Sequence, residues 1–130
     1  MITDKEFTLR LIRQLTQALE KLILDKPEES LMQKELDYDS LMKDIFKFDF
    51  KELSSKSKEE IIEIVNERQE RDHKDYYEML GNLFYINGRD TNNANFKEKA
   101  KTFYELYLQK SGIFALPIIN RINEIKKVLE

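Results

Sequence analysis

Residues 77–112 read YEMLGNLFYINGRDTNNANFKEKAKTFYELYLQKSG, and this stretch decides the fold. Tyr77, Leu80, Gly81 and Phe84 recur at the spacing that puts side chains on one face of a helix. Ala100, Phe103, Tyr104 and Tyr107 repeat that spacing farther on, so a second helix follows. The small residue at 81 allows two helix backbones to approach closely. A glycine at 88 predicts the end of the first helix, since glycine takes positive φ without steric cost. Between them GRDTNNANF is polar and supplies the turn. The expected unit is a helical hairpin with arms near residues 75–87 and 95–110.

Outward from the hairpin the chain stays helical. Residues 4–24 carry Phe7, Leu11, Ile12, Leu15, Ala18, Leu19, Leu22 and Ile23 within an arc of about 160° at about 100° per residue. Arg10, Arg13, Gln14, Gln17, Glu20 and Lys21 fill the other side. So wide an apolar face predicts a spine that contacts two neighbours, with Leu15 near its centre. Thr3 or Asp4 caps its start and Pro27 closes it, because the residue before proline resists the helical region. A second helix is expected over 27–47, with Glu28 and Glu29 near its positive end and Leu31, Met32, Leu36, Tyr38, Leu41, Met42, Ile45 and Phe46 on its stripe. Phe46, Phe48 and Phe50 then alternate with Lys47 and Asp49 and read as an extended connector tucking rings into the core. Ser57 and Glu60 stand at capping-box spacing before Ile61, Ile62, Ile64 and Val65. This helix ends near Gln69 or runs directly into the hairpin; ERQERDHKD holds no breaker that decides between them. Ser111 and Gly112 end the hairpin. Pro117 opens a last helix with Ile118, Ile122, Ile125 and Leu129 inward and Arg121, Lys126 and Lys127 toward water.

The expectation is an all-α domain over residues 1–130 with five to six helices, a helical pair and connector over 1–56, and the hairpin part over 57–130. The hairpin resembles a tetratricopeptide (TPR) repeat: Tyr77, Leu80, Gly81, Phe84 and Gly88 match the first helix, and Ala100 and Tyr104 the second. About seven extra residues widen the turn relative to the repeat of about 34. Tyr107 stands where a small residue is usual. With FTLRLIRQLTQALEKLI at the start and KELSSKSKEEIIEIV at the midpoint, the chain resembles small bacterial all-helical proteins with a TPR-like C-terminal hairpin. That resemblance implies a scaffold fold and lends no catalytic residues.

Composition narrows the function. The 130 residues hold no cysteine, which excludes disulfides and thiolate chemistry. Every apolar run is interrupted by charge, so neither a leader h-region nor a membrane span of about 18 residues is read, and a cytoplasmic protein is expected. Net charge is −3, with 15 acidic against 9 basic residues over 27–75 and 8 basic against 6 acidic over 76–130. No basic stripe of the kind that grips nucleic acid emerges. Lys97, Lys99, Lys101 and Lys110 neighbour aromatic residues, but the rings fall on the core side of their helix.

His73, the only histidine, completes Glu70-x-x-His73, half of a di-iron motif whose second half is missing; a solvated histidine is expected. Asp90-Thr91-Asn92-Asn93-Ala94-Asn95 lacks the glycine and the glutamate of a calcium loop and reads as a cap, with Asn93 or Asn95 accepting first-turn amides. With no phosphate loop or nucleophile elbow in the sequence, no metal, cofactor or catalytic residue is assigned. The leading reading is a protein-interaction module whose partner, a protein or peptide, lies on the surplus apolar face formed by Tyr76, Met79, Leu83 and Ile86. The competing reading for those four is core packing. A two-fold dimer would close the same face. The alternative function is a small ligand-binding bundle or enzyme with a cavity lined by Tyr38, Tyr76 and Tyr85.

Overall fold

The computed structural model describes residues 4–24 and 38–129. Among them are seven α-helices, α1 (Asp4–Ile23), α2 (Tyr38–Phe46), α3 (Phe50–Ser55), α4 (Lys58–Asn66), α5 (His73–Thr91), α6 (Ala94–Ser111) and α7 (Leu116–Leu129), with a 3-10 turn at Glu70–Asp72 and no strand. The all-α expectation holds, with more helices than the five to six expected. The stripe positions at Leu31, Met32 and Leu36, and Pro27 itself, lie outside the described residues.

α5 is the central rod. It packs antiparallel on α6, as Gly81 meets Tyr104 near its middle and Gly88 meets Phe96 and Lys97 near its end. On another side it meets α1. Asp75 pairs with Arg13, Asn82 donates to the Thr16 carbonyl at 3.2 Å, and Arg89 donates to the Ile23 carbonyl at 3.1 Å. The numbers rise together along both helices, so α1 and α5 run parallel. Ile12, Leu15 and Leu19 of α1 are wholly buried, as its apolar arc requires.

The hairpin turn differs from the sequence reading in a definite way. Gly88 does not end a helix: α5 continues to Thr91, and Asn92 takes the left-handed conformation at φ 52°. Asn93 then caps α6, its side chain accepting from the Phe96 amide at 3.1 Å. The extra residues therefore lengthen both arms, and only Asn92 and Asn93 link them. Gly88 serves packing instead, since a Cβ there would lie 3.1 Å from the Lys97 amide nitrogen.

The connector is also corrected. Phe50–Ser55 is a helix because Asp49 accepts the Glu52 amide at 2.8 Å, the N-cap geometry that outweighs a short alternation of rings. The aromatic rings still turn inward. Phe46 meets Tyr76 at 5.9 Å between centroids, and Phe50 meets Phe84 at 6.0 Å. Lys99, 5% exposed, donates from Nζ to the Ser54 carbonyl at 2.8 Å and lies over Phe84 and Phe96. A cation there suits the negative end of α3. Burial pushes the Lys99 ammonium below its ordinary pKa, and Glu60 pulls it back. The capping box opens α4 as predicted, with both reciprocal Ser57–Glu60 bonds formed. α4 stops at Asn66; residues 67–69 and the 3-10 turn separate it from α5, which settles their continuity.

Candidate functional site: a charged cleft and an apolar tip

The N-terminal half of α1, the end of α2, the segment after α4 and the start of α5 enclose a cleft of about 420 Å³. This volume is at the small end of the range of about 300–1,000 Å³ typical of ligand clefts. Leu9, Ile45 and Tyr76 contribute its apolar wall, and Asp44, Lys47, Glu67, Arg68 and Asp72 its charges. Each charge has a local cause. α2 ends in an αL cap, with the Lys47 amide donating to the Lys43 carbonyl at 2.9 Å. That places Lys47 at φ 74°, a conformation in which a residue with a Cβ is strained and glycine is usual. Arg68 lays its guanidinium over the Tyr76 ring at 5.8 Å, yet its Nε is buried without a hydrogen-bond partner among the described residues. Asp72, 7% exposed, ends the 3-10 turn. Burial raises the Tyr76 hydroxyl's pKa above its ordinary value, the Arg68 charge lowers it, and Asp72 raises it further.

His73 stands behind this wall. It is 6% exposed, not solvated as the polar run suggested, and its Nε2 lies 2.9 Å from the Arg68 carbonyl oxygen. Its ring sits edge-on to Tyr77. The histidine thus braces the segment that carries Arg68.

A second polar constellation fastens the bundle. Arg121 of α7, predicted to face water, is 6% exposed. Its two terminal nitrogens donate to both carboxylate oxygens of Glu20, at 2.9 and 2.5 Å, and one reaches Asn82 Oδ1 and the Tyr104 hydroxyl at 3.3 Å each. Tyr104 donates to Asn82 Oδ1 at 2.7 Å. Beside them, Tyr85 donates to the Glu124 carboxylate. Four helices meet there. Burial works against the Arg121 charge, but the bond and charge of Glu20 outweigh it and raise the pKa. Burial pushes the Tyr104 hydroxyl up as well. The fork geometry matches a carboxylate bidentately, which fixes α7 in one register against α1.

Glu78 lies near this knot. Burial first, then the charges of Asp75 and Glu20, raise its pKa, with Tyr107 and Arg121 opposing. A raised carboxyl binds its proton more readily folded than unfolded. That stabilisation is complete below the unfolded pKa and disappears as pH rises through the folded one. Glu78→Gln should therefore raise the melting temperature at neutral pH, with the gain vanishing in acid. A gain independent of pH would place its origin elsewhere.

The four residues expected to form a partner face are all buried: Tyr76 5%, Met79 0%, Leu83 0% and Ile86 4% exposed. They cannot form an open groove in this fold, because α1 covers that side of α5, as the Asn82 and Arg89 bonds to α1 show. Tyr76 lines the cleft. Tyr85 is bonded to Glu124, and the side chain of Tyr38 lies outside the described residues. Of the Asp90–Asn95 run, Asp90 and Thr91 belong to α5 and Ala94 and Asn95 to α6, which leaves Asn92 and Asn93 as the link. Among the described residues no cluster of His, Cys, Asp and Glu is arranged to hold a metal ion, and no helix is long and apolar enough to cross a membrane.

Exposed apolar side chains occur instead at the α6–α7 link. Gly112, at φ 68°, ends α6 with its amide on the Leu108 carbonyl. The chain then presents Ile113, Phe114 and Leu116 at 52%, 80% and 54% exposure. GIFALP was the available signal: three large apolar residues in a segment with no room for a helical period. Comparison with known proteins finds no match for this chain among family models, curated proteins or solved structures.

Proposed function

We propose that this protein is an interaction module of TPR-like type that inserts the tip formed by Ile113, Phe114 and Leu116 into an apolar groove of a partner protein. The carrying observation is Phe114, 80% exposed in a chain whose other aromatic rings mostly pack against its core. An uncovered phenylalanine loses the stabilisation of burial, about 1.5–3 kcal/mol, and contributes it only when a partner covers the ring. Gly112 and the start of α7 bracket the tip closely, so little ordering entropy opposes docking. The partner is a second protein that supplies the groove covering the ring. The TPR-like part of the reading is supported by the close Gly81–Tyr104 crossing, the small-against-aromatic contact that such hairpins use.

Affinity capture with the intact chain tests this. Phe114→Asp should abolish a saturable, stoichiometric partner while leaving the melting temperature within about 2 °C, since solvated positions contribute little to stability. Met79→Asp should instead unfold the chain. Capture that survives Phe114→Asp and Leu116→Asp together would refute the assignment.

A further inference from the structure

The cleft between α1, α2 and the α4–α5 segment is independent of the tip, and two of its features ask for a ligand. The first is Lys47. Its backbone is at φ 74°, where glycine or asparagine is the unstrained choice, and lysine brings a Cβ that costs conformational energy. Strain of this kind persists where the side chain has a use. Lys47 lines the cleft, and among the described residues no hydrogen bond or ion pair holds its ammonium. The second is Arg68. Its guanidinium stacks on Tyr76, and among the described residues its buried Nε has no acceptor. A buried donor without an acceptor is destabilising. Two cations lining one cleft thus await an acceptor, and a carboxylate is the planar group that an arginine fork matches.

The remaining charges restrict the ligand. Asp44, Glu67 and Asp72 also line the cleft, so a simple anion such as phosphate would meet three carboxylates along with its two cations. A molecule bearing both signs satisfies both sets. Leu9, Ile45 and Tyr76 supply the apolar surface for its body. We propose that the cleft is a binding site for a small zwitterion with an apolar side chain, of the α-amino acid class. In that complex its carboxylate lies against Arg68 and Lys47, its ammonium faces the Asp72 side of the wall, and its side chain packs on Leu9, Ile45 and Tyr76.

Isothermal titration calorimetry on the full chain tests the assignment, with L-leucine, L-phenylalanine and glycine as probes. The first two should bind and glycine far more weakly, because it lacks the apolar body. N-acetyl-leucine, without the ammonium, and leucinamide, without the carboxylate, should each bind at least about tenfold more weakly, the effect of one charged contact. Arg68→Gln should weaken leucine binding by a similar factor. Lys47→Gly is the variant that separates a ligand role from a structural one. It relieves the strained φ, so unfolding temperature should hold or rise while affinity falls. Leu9→Trp, at a half-buried position, should fill the cleft and block binding with the helical spectrum unchanged. The assignment is overturned if no probe gives a binding heat with the wild-type chain. It is equally overturned if the blocked derivatives match leucine, or if Arg68→Gln and Lys47→Gly bind it as the parent does.

Discussion

Arg121→Met should lower the free energy of unfolding by about 3 kcal/mol, the low end of the cost of breaking a buried ion pair. In a chain of this size that corresponds to a loss of roughly 10 °C in melting temperature. The guanidinium meets Glu20, Asn82 and Tyr104 at once, so its removal leaves Glu20 without its cation and takes one bond from each of the other two. Their consequences differ. The Glu20 side chain is 36% exposed and turns toward water, which keeps the loss below the cost of a wholly buried pair. Asn82 and Tyr104, 1% and 0% exposed, keep their mutual bond but have no water to replace the one each loses. Replacing Glu20 by Met in the same chain should recover part of the loss, because an apolar pair leaves no unpaired charge. A single-variant cost under about 1 kcal/mol in urea unfolding would show that the cluster is as weak as a solvated surface bridge.

The same cluster marks what could be read in the sequence and what could not. α1 was legible because eight apolar side chains share one arc, and α4 because Ser57 and Glu60 announce its first turn. Local signals of that kind act within a few residues. α3 is hidden in the sequence although Asp49 and Glu52 stand at cap spacing, since Phe46, Phe48 and Phe50 alternate as an extended segment does. Gly88 was misread for a related reason: a glycine near a helix end fits both a C-cap and a close contact, and only the position of α6 distinguishes them. Arg121 lay beyond reach. On α7 it looks like any solvated cation, and its burial depends on Glu20, a hundred residues away, arriving opposite it. The surplus apolar face of α5 is legible as surplus, while its occupant, partner or core, stays open in the sequence, because periodicity counts apolar faces without saying which neighbour covers them. The cleft draws on residues from Thr8 to Tyr76 across four segments, so no spacing rule contains it. Phe114 was visible as a residue, but exposure is a property of the fold.

Gly81→Leu should be the more damaging substitution, costing about 4 kcal/mol. A Cβ at 81 would lie 2.4 Å from Tyr104 Cδ1 and 2.6 Å from Cε1, well inside contact distance. The opposing atoms belong to a ring that is completely buried, so it has no free space into which to swing. Overpacking of this kind costs about 1–3 kcal/mol when the core can shift. Here the shift carries a second penalty. The Tyr104 hydroxyl donates to Asn82 Oδ1 at 2.7 Å and accepts from Arg121, so moving the ring breaks polar contacts that are buried, each worth about 1–3 kcal/mol once orphaned. Clash and network are thus one coupled effect, and a double-mutant cycle measures the coupling. Gly81→Ala introduces the offending Cβ with the least extra volume and should destabilise the parent clearly. In a Tyr104→Ala background the ring is gone, space opens above position 81, and the same change should be nearly neutral or favourable, since alanine suits a helix interior better than glycine by about 1 kcal/mol. Equal costs in the two backgrounds would mean that the α5–α6 crossing is not held at its closest point by this glycine. The hairpin would then rest on its aromatic contacts alone, Tyr77 on Phe103 and Phe84 on Phe96.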